Sequence, residues 1–184
     1  MKLDILNYKT MTEVDIKNLS IKTIDVLIFD FDGVLTDNKV HIDKNGSEFV
    51  ICNRSDGLGF EAIKKLNKPT FILSSEKNPV VTARANKLDV PVIQGISNKL
   101  TALEKIVHEK SYSFSKVFYI GNDINDYFVM QKCGYTACPN DSHPLIKKIS
   151  DFILTTKGGQ GVVCELLENI FEINLLKTLY PEEC

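Results

Sequence analysis

With 184 residues and 43% hydrophobic content, the chain has the apolar material for one compact unit with a sizeable core. A formal net charge of −2 without a long Lys/Arg run excludes the electrostatic footprint of a nucleic-acid or anionic-membrane binder and favours a small-molecule ligand. Five cysteines with no Cys-x-x-Cys pair argue against a disulfide framework or structural zinc, and no apolar run approaches a membrane span or a signal core, so a cytoplasmic location is expected.

In chain order, a short leading helix is expected at Thr12 to Leu19. An apolar strand follows at Asp25 to Phe31 and runs into Asp30-Phe31-Asp32-Gly33. Lys39 to Ile42 and Glu48 to Cys52 read as two short strands around Asn45-Gly46, a hairpin turn signal. Val40, Ile42, Phe49 and Ile51 give this hairpin a hydrophobic-polar alternation. Helices at Gly57 to Leu66, Pro79 to Leu88, Lys99 to Lys110 and Asp126 to Lys132 alternate with strands at Thr70 to Leu73, Pro91 to Ile93, Val117 to Ile120 and Gly134 to Ala137; a last helix is expected from Gly161 to Leu179. This alternation predicts an α/β fold, a doubly wound and mainly parallel sheet with a projecting β-hairpin. The whole chain, 1–184, is expected to be a single domain, with its core at about 24–167 and its hairpin at about 38–52.

The chemistry concentrates where strands end. Asp30 and Asp32, one residue apart at the end of a buried strand, bring two carboxylates to the carboxyl edge of the sheet, where such folds bind ligands. Buried like charges repel, and a hard oxygen-ligated cation such as Mg²⁺ relieves that repulsion and shields phosphate oxygens from an anionic nucleophile. Gly33 lets the chain turn sharply against a ligand. Ser74 closes the strand that ends at Leu73, Lys99 opens a helix, and Gly121-Asn122-Asp123 with Asp126 forms a second acidic strand end.

These four segments, in this order, resemble the motifs of the haloacid dehalogenase superfamily of phosphatases. The resemblance implies that Asp30 is the nucleophile, that Asp32 is the general acid/base, and that Ser74 and Lys99 hold the transferring phosphoryl group. It also implies Mg²⁺ as cofactor, held by Asp30, Asp32, Asn122 and Asp123, with Asp126 and Gly33 in support. Asn122 departs from the pattern, because the superfamily usually has aspartate there; an amide oxygen can bind Mg²⁺ but brings no charge.

Neither gap that takes a cap domain in larger members is long enough for one here. This capless layout resembles the 3-deoxy-D-manno-octulosonate 8-phosphate and acylneuraminate 9-phosphate phosphatases. Supporting landmarks are Asn45-Gly46 with Glu48, Asp56-Gly57-x-Gly59, Gln94 to Lys99, Asp141 with His143-Pro144, and Gly158-Gly159-x-Gly161. The likeness implies a phosphorylated sugar acid as substrate, with Ser75, Arg54, Asp56, Gly57 and His41 as candidate substrate-binding residues, and a homotetramer built through the hairpins. Arginines usual in octulosonate phosphatases are replaced by Ser55, Gln160 and Cys164, and Ser75-Glu76 looks more like the nine-carbon branch. Arg54 and Arg84 are alternative sources of positive charge.

Two other readings compete. A phospho-accepting receiver-like domain also joins a doubly wound sheet to clustered acids, a hydroxyl and a lysine, but places its acids and phospho-acceptor on separate strands. A weakly active or inactive relative serving as an oligomeric partner of a cytidylyltransferase is suggested by Asn122 and the missing arginines.

Overall fold

The computed structural model describes residues 19–184, so the expected leading helix lies outside the described residues but for Leu19. Six parallel strands form the sheet: β1 (Val26–Phe29), β4 (Thr70–Leu73), β5 (Val92–Ile93), β6 (Val117–Ile120), β7 (Tyr135–Cys138) and β8 (Phe152–Ile153), in the order β5-β4-β1-β6-β7-β8. β1 is central because its Val-Leu-Ile-Phe run has no polar face to give to water. Its side chains alternate between two apolar layers. Leu27 and Phe29 join Phe60, Val81, Val163 and Leu167 on one side of the sheet, and Val26 and Ile28 join Leu103, Val129, Met130 and Ile146 on the other.

Register brings the carboxyl ends of three strands level. Ile28 pairs with Phe71 and with Tyr119, and the hydrogen-bond ladder continues one residue further, with Asp30 N donating to Ile120 O at 2.9 Å and Ser74 N to Ile93 O at 2.9 Å. The residues after β1, β4 and β6 are thus fixed by backbone bonds before any side-chain contact acts.

The helices Ser55–Lys65, Val80–Leu88, Lys99–Lys110 and Tyr127–Lys132 stand where the apolar spacing puts them, within two residues at each end. Two features differ from expectation. β8 and the helix Pro144–Ile149 before it add a sixth strand, which pairs with β7 and is too short to announce itself as an apolar run. The C-terminal segment is not one helix: Val162–Glu165 is α-helical, Leu166–Ile170 widens into a π turn, and a separate helix spans Leu175–Leu179. Phe171 N bonds back to Leu166 O at 3.2 Å, Glu172 takes a left-handed φ of 52°, and the Asn174 side chain caps Lys177 N at 2.9 Å. On either side of the break, Leu167, Phe171 and Leu179 belong to the same apolar layer.

Between β1 and helix Ser55–Lys65 lies only the hairpin β2 (His41–Ile42) and β3 (Glu48–Phe49), and between β4 and β5 only helix Val80–Leu88, so no cap domain is inserted at either place. The strands are shorter than expected, and the turn spans Asp43 to Ser47, with Asp43 Oδ1 accepting from Asn45 N and Ser47 N at 2.8 Å each. A bridge from Thr36 to Cys52 closes the hairpin's base against the sheet edge. His41 pairs with Phe49 and Ile42 with Glu48, so Ile42 and Phe49 point to opposite faces and the apolar residues do not form one stripe.

Candidate active site

A cleft of about 480 Å³ opens at the carboxyl edge of the sheet, lined by Asp30, Asp32, Asn38, Ser74, Ser75, Glu76, Asn122, Asp123, Ile124 and Asn125. Its floor is Asp30, only 3% exposed, whose Oδ1 accepts from Phe31 N at 2.7 Å and meets Lys99 Nζ at 2.7 Å. Lys99 is the first residue of its helix, and Asn98 caps that helix by accepting from Thr101 N. The cap aims the lysine stem under the sheet edge, where water is nearly absent.

Asp126 completes the floor from behind. Its Oδ1 accepts from Lys99 Nζ at 2.7 Å and from Tyr119 OH at 2.8 Å, while its Oδ2 accepts from Asn122 N at 2.9 Å and Asp123 N at 3.3 Å. Both oxygens are therefore committed to holding the lysine and the loop after β6. The carboxyl group packs where a Cβ on Gly121 would stand 2.8 Å or less from it, so that position has no room for a side chain.

The electrostatics follow from burial. Asp30 is pushed up to about 8, first by desolvation and then by the charge of Asp126, with Lys99 pulling it back down. Desolvation alone would depress Lys99, but Asp30 and Asp126 outweigh it and hold the ammonium above its ordinary value. Asp32, half-buried at the rim, is raised by desolvation and by Glu76, opposed by a hydrogen bond from Thr36 Oγ1. Burial thus raises both acids, and position is what distinguishes them: Asp30 lies 2.7 Å from the Lys99 ammonium, whereas Asp32 stands at the cleft rim against Thr36.

The donor set suits a hard divalent ion. Asp30, Asp32 and the Asn122 carboxamide share the cleft wall, although among the described residues no three His, Cys, Asp or Glu side chains converge as a metal cluster. Asn122 reaches so far under the turn at Gly33, φ 75°, that a Cβ on Gly33 would lie 1.8 Å from Asn122 Nδ2. Asp123 lines the cleft, but its Oδ1 accepts from Ile124 N at 2.7 Å.

Of the sequence-predicted residues, the cleft wall collects Asp30, Asp32, Ser74, Ser75, Asn122 and Asp123, with Lys99 and Asp126 directly beneath and Gly33 at the turn. His41, Arg54, Asp56 and Gly57 do not line it in the single chain. His41 stacks on Phe49 on the hairpin, with ring centroids 5.1 Å apart. Asp56 is buried, accepts from Val163 N at 2.9 Å through Oδ1 and leaves Oδ2 without a partner among the described residues. Arg84 donates to Asn53 O at 2.7 Å. Asn38, Glu76 and Asn125 were not singled out for the cleft from sequence; the one trace of Asn38 is that asparagine tolerates the left-handed φ of 60° adopted there.

Residues 61–166 match the sequence profile of the haloacid dehalogenase-like hydrolases. The 3-deoxy-D-manno-octulosonate 8-phosphate phosphatase KdsC of Salmonella typhi is 34% identical over 150 residues, covering 79% of this chain and 80% of that protein. Among solved structures, the 3-deoxy-D-manno-octulosonate 8-phosphate phosphatase of Moraxella catarrhalis, in complex with magnesium, phosphate and KDO, superposes with a TM-score of 0.81 at 28% identity, covering 89% of this chain and 94% of that one. The cobalt-bound deoxy-D-mannose-octulosonate 8-phosphate phosphatase of Haemophilus influenzae superposes with a TM-score of 0.77 at 28% identity, over 83% and 90% of the two chains.

Proposed function

From the premise that this chain belongs to the haloacid dehalogenase-like hydrolases and is a phosphatase closely related to the 3-deoxy-D-manno-octulosonate 8-phosphate phosphatases, we propose that it hydrolyses a phosphomonoester through an aspartyl-phosphate on Asp30. The observation that carries this is the clamped pair: Asp30 held by Lys99 Nζ at 2.7 Å, with Asp32 beside it in the same cleft. A carboxylate oxygen of Asp30 attacks phosphorus, the bond from phosphorus to the ester oxygen breaks, and Asp32 gives its proton to the departing alkoxide. Asp32, now a carboxylate, takes a proton from water as that water attacks the phosphoaspartate, which releases phosphate and restores both acids.

Lys99 neutralises the phosphoryl oxygens, and Ser74, with its Oγ accepting from Glu76 N at 3.1 Å, is oriented to donate its hydroxyl proton to one of them. Asp30, Asp32 and Asn122 would hold Mg²⁺, with Asp123 at the rim; when bound, the ion supplies positive charge that lowers the repulsion between an anionic nucleophile and a phosphate dianion.

For the substrate we favour a 2-keto-3-deoxy sugar acid phosphate, either a nonulosonate 9-phosphate or an octulosonate 8-phosphate. The kinship supports the class, and Ser75-Glu76 in the cleft wall supports the nine-carbon branch. Ser55 and Cys164, which stand where octulosonate phosphatases usually carry arginines, touch each other through Cys164 Sγ and Ser55 O at 3.1 Å, so the two departures fall at one place. The unit that acts is a single phosphatase domain, assembled as a homotetramer through the exposed hairpin. No helix among the described residues is long and apolar enough to cross a membrane.

The test is phosphate release from a panel of eight- and nine-carbon keto-sugar acid phosphates, with and without Mg²⁺. Turnover of a nine-carbon ester above the eight-carbon one supports the reading, and Mg²⁺-independent release or none across the panel would overturn it.

A further inference from the structure

Beside the catalytic cleft lies a second cavity, of about 360 Å³, and the two share Ser75, Ile124 and Asn125 as a common wall. Lys99, whose ammonium meets Asp30 at 2.7 Å, also lines it, so one lysine side chain links the second cavity to the nucleophile. The two linings differ in kind. The cleft carries the acids Asp30, Asp32, Glu76 and Asp123, whereas the side cavity carries none. Its only cationic side chain is Lys99, already shared between Asp30 and Asp126 at 2.7 Å from each. What the side cavity offers is apolar surface from Leu100, Ile124 and Phe128, next to the neutral hydrogen-bonding groups of Ser97 and Asn125. The fold spends neither of those two polar side chains on a bond among the described residues.

The helix Tyr127–Lys132 is pinned at its start by Asp126, whose oxygens accept from Lys99, Tyr119 and two loop amides, and it buries Val129 and Met130. That register leaves Phe128 67% exposed, and Ile124, in the turn before it, 55% exposed. Large apolar side chains that face water at the rim of a fixed cavity gain free energy when a ligand covers them. A carboxylate finds no free cation here, and a purely hydroxylated chain leaves the phenyl ring unmatched. An acylamino group suits both halves of the lining, because its methyl lies on apolar surface while its N–H and C=O meet neutral acceptors and donors. We propose, resting on the phosphatase reading above, that the side cavity is the subsite for an acylamino substituent on the leaving sugar, with Phe128 as the wall that sets specificity.

The test compares two esters that differ in one group, the acetamido and the hydroxyl forms of the same nonulosonate 9-phosphate, in the presence of Mg²⁺. The unmodified protein should favour the acetamido form in kcat/KM by about tenfold or more, the discrimination expected of a methyl-sized apolar contact. Phe128→Ala should cut that preference to about threefold or less, through a higher KM for the acetamido ester with kcat nearly kept, as when binding common to ground and transition states is lost. Phe128→Leu, which restores apolar surface, should recover most of the preference and serves in place of the alanine variant if that one fails to fold. Equal kcat/KM for the two esters in the unmodified protein overturns the proposal, and so does a preference that Phe128→Ala leaves intact, whether or not light scattering shows a changed assembly. Exchange of oxygen between inorganic phosphate and ¹⁸O-labelled water needs the phosphoaspartate but no leaving sugar, and it separates two failures. If the unmodified protein catalyses exchange but shows no preference between the esters, or hydrolyses neither, only this inference is lost; with neither exchange nor hydrolysis, the phosphatase reading falls as well.

Discussion

On the floor of the cleft, Asp30, Lys99 and Asp126 place three charges and Tyr119 a phenol where water barely reaches; on the hairpin, Ile42 and Phe49 leave apolar side chains 67% and 53% exposed. Both regions reverse the ordinary partition of side chains, and they do so at opposite costs. A buried charge is tolerated only when every partner is in place, and here Lys99 stands 2.7 Å from both acids. Exposed apolar residues on a two-stranded ribbon cost little in the chain itself but invite association. The floor is therefore a finished structure, sealed by contacts within one chain, while the hairpin leaves its apolar side chains uncovered by that chain.

The strongest way to break this contrast is to remove the nucleophile. Asp30→Asn should lower phosphate release by at least about 10⁴-fold, while the thermal midpoint falls less than on loss of the lysine, because Lys99 keeps Asp126 as a carboxylate partner at 2.7 Å. Residual turnover above that level would show that the floor does not act through Asp30.

Next in size is Lys99→Met, which leaves two buried carboxylates without their shared cation. Turnover should fall by about 10²–10³-fold and unfolding free energy, from urea titration, by about 3–5 kcal/mol. A loss of activity with unchanged stability would mean that the clamp is not the element that seals the floor.

On the hairpin the expectation is inverted. If the homotetramer proposed above forms through the hairpin, replacing Ile42 and Phe49 together by serine should dissolve it, seen by light scattering. The intrinsic stability of the chain should move by only about 0.5 kcal/mol, as for a surface change. Because the two side chains lie on opposite faces of the ribbon, the single variants should differ in effect, and their comparison identifies the face that meets a partner.

The narrowest effect, confined to one pH window, concerns Asp56, just after the hairpin returns to the core. Desolvation raises its pKa to about 6, opposed by the bond from Val163 N and the charge of Arg84. The folded value lies above the ordinary 3.8, so the contribution of the protonated form is complete below about pH 4 and is lost as pH rises through 6. That amounts to on the order of 3 kcal/mol. Asp56→Asn should flatten this part of the stability profile between pH 4 and 7, measured by urea unfolding at each pH; an unchanged slope would place the titration elsewhere.

Much of this was legible before the fold was known. The apolar run ending in Asp30 and Asp32 announces a central strand with acids at its carboxyl end, and Ser74, Lys99 and Asn122 follow at strand and helix boundaries that the turn residues mark. The hairpin was legible from Asn45-Gly46, since a glycine with a left-handed φ is a local requirement. Tyr119 was not: within β6 it reads as one more apolar strand residue, and only the tertiary fold shows its hydroxyl 2.8 Å from Asp126. The C-terminal helix was misjudged for a related reason, because local spacing favours continuity while Phe171 and Leu179 join one apolar layer from either side of the break.

By itself the sequence determined which chemical groups reach the sheet edge, since strand endings, turns and helix starts are set by near neighbours along the chain. Only the tertiary structure decided how those groups pair: that Asp126 spends both oxygens on the lysine, the phenol and the loop amides, that Asp30 shares Lys99, and that Ile42 and Phe49 face apart. Such pairings depend on distances between residues far apart in sequence, and a shift of an ångström exchanges one hydrogen-bond partner for another while leaving the pattern of residue types unchanged.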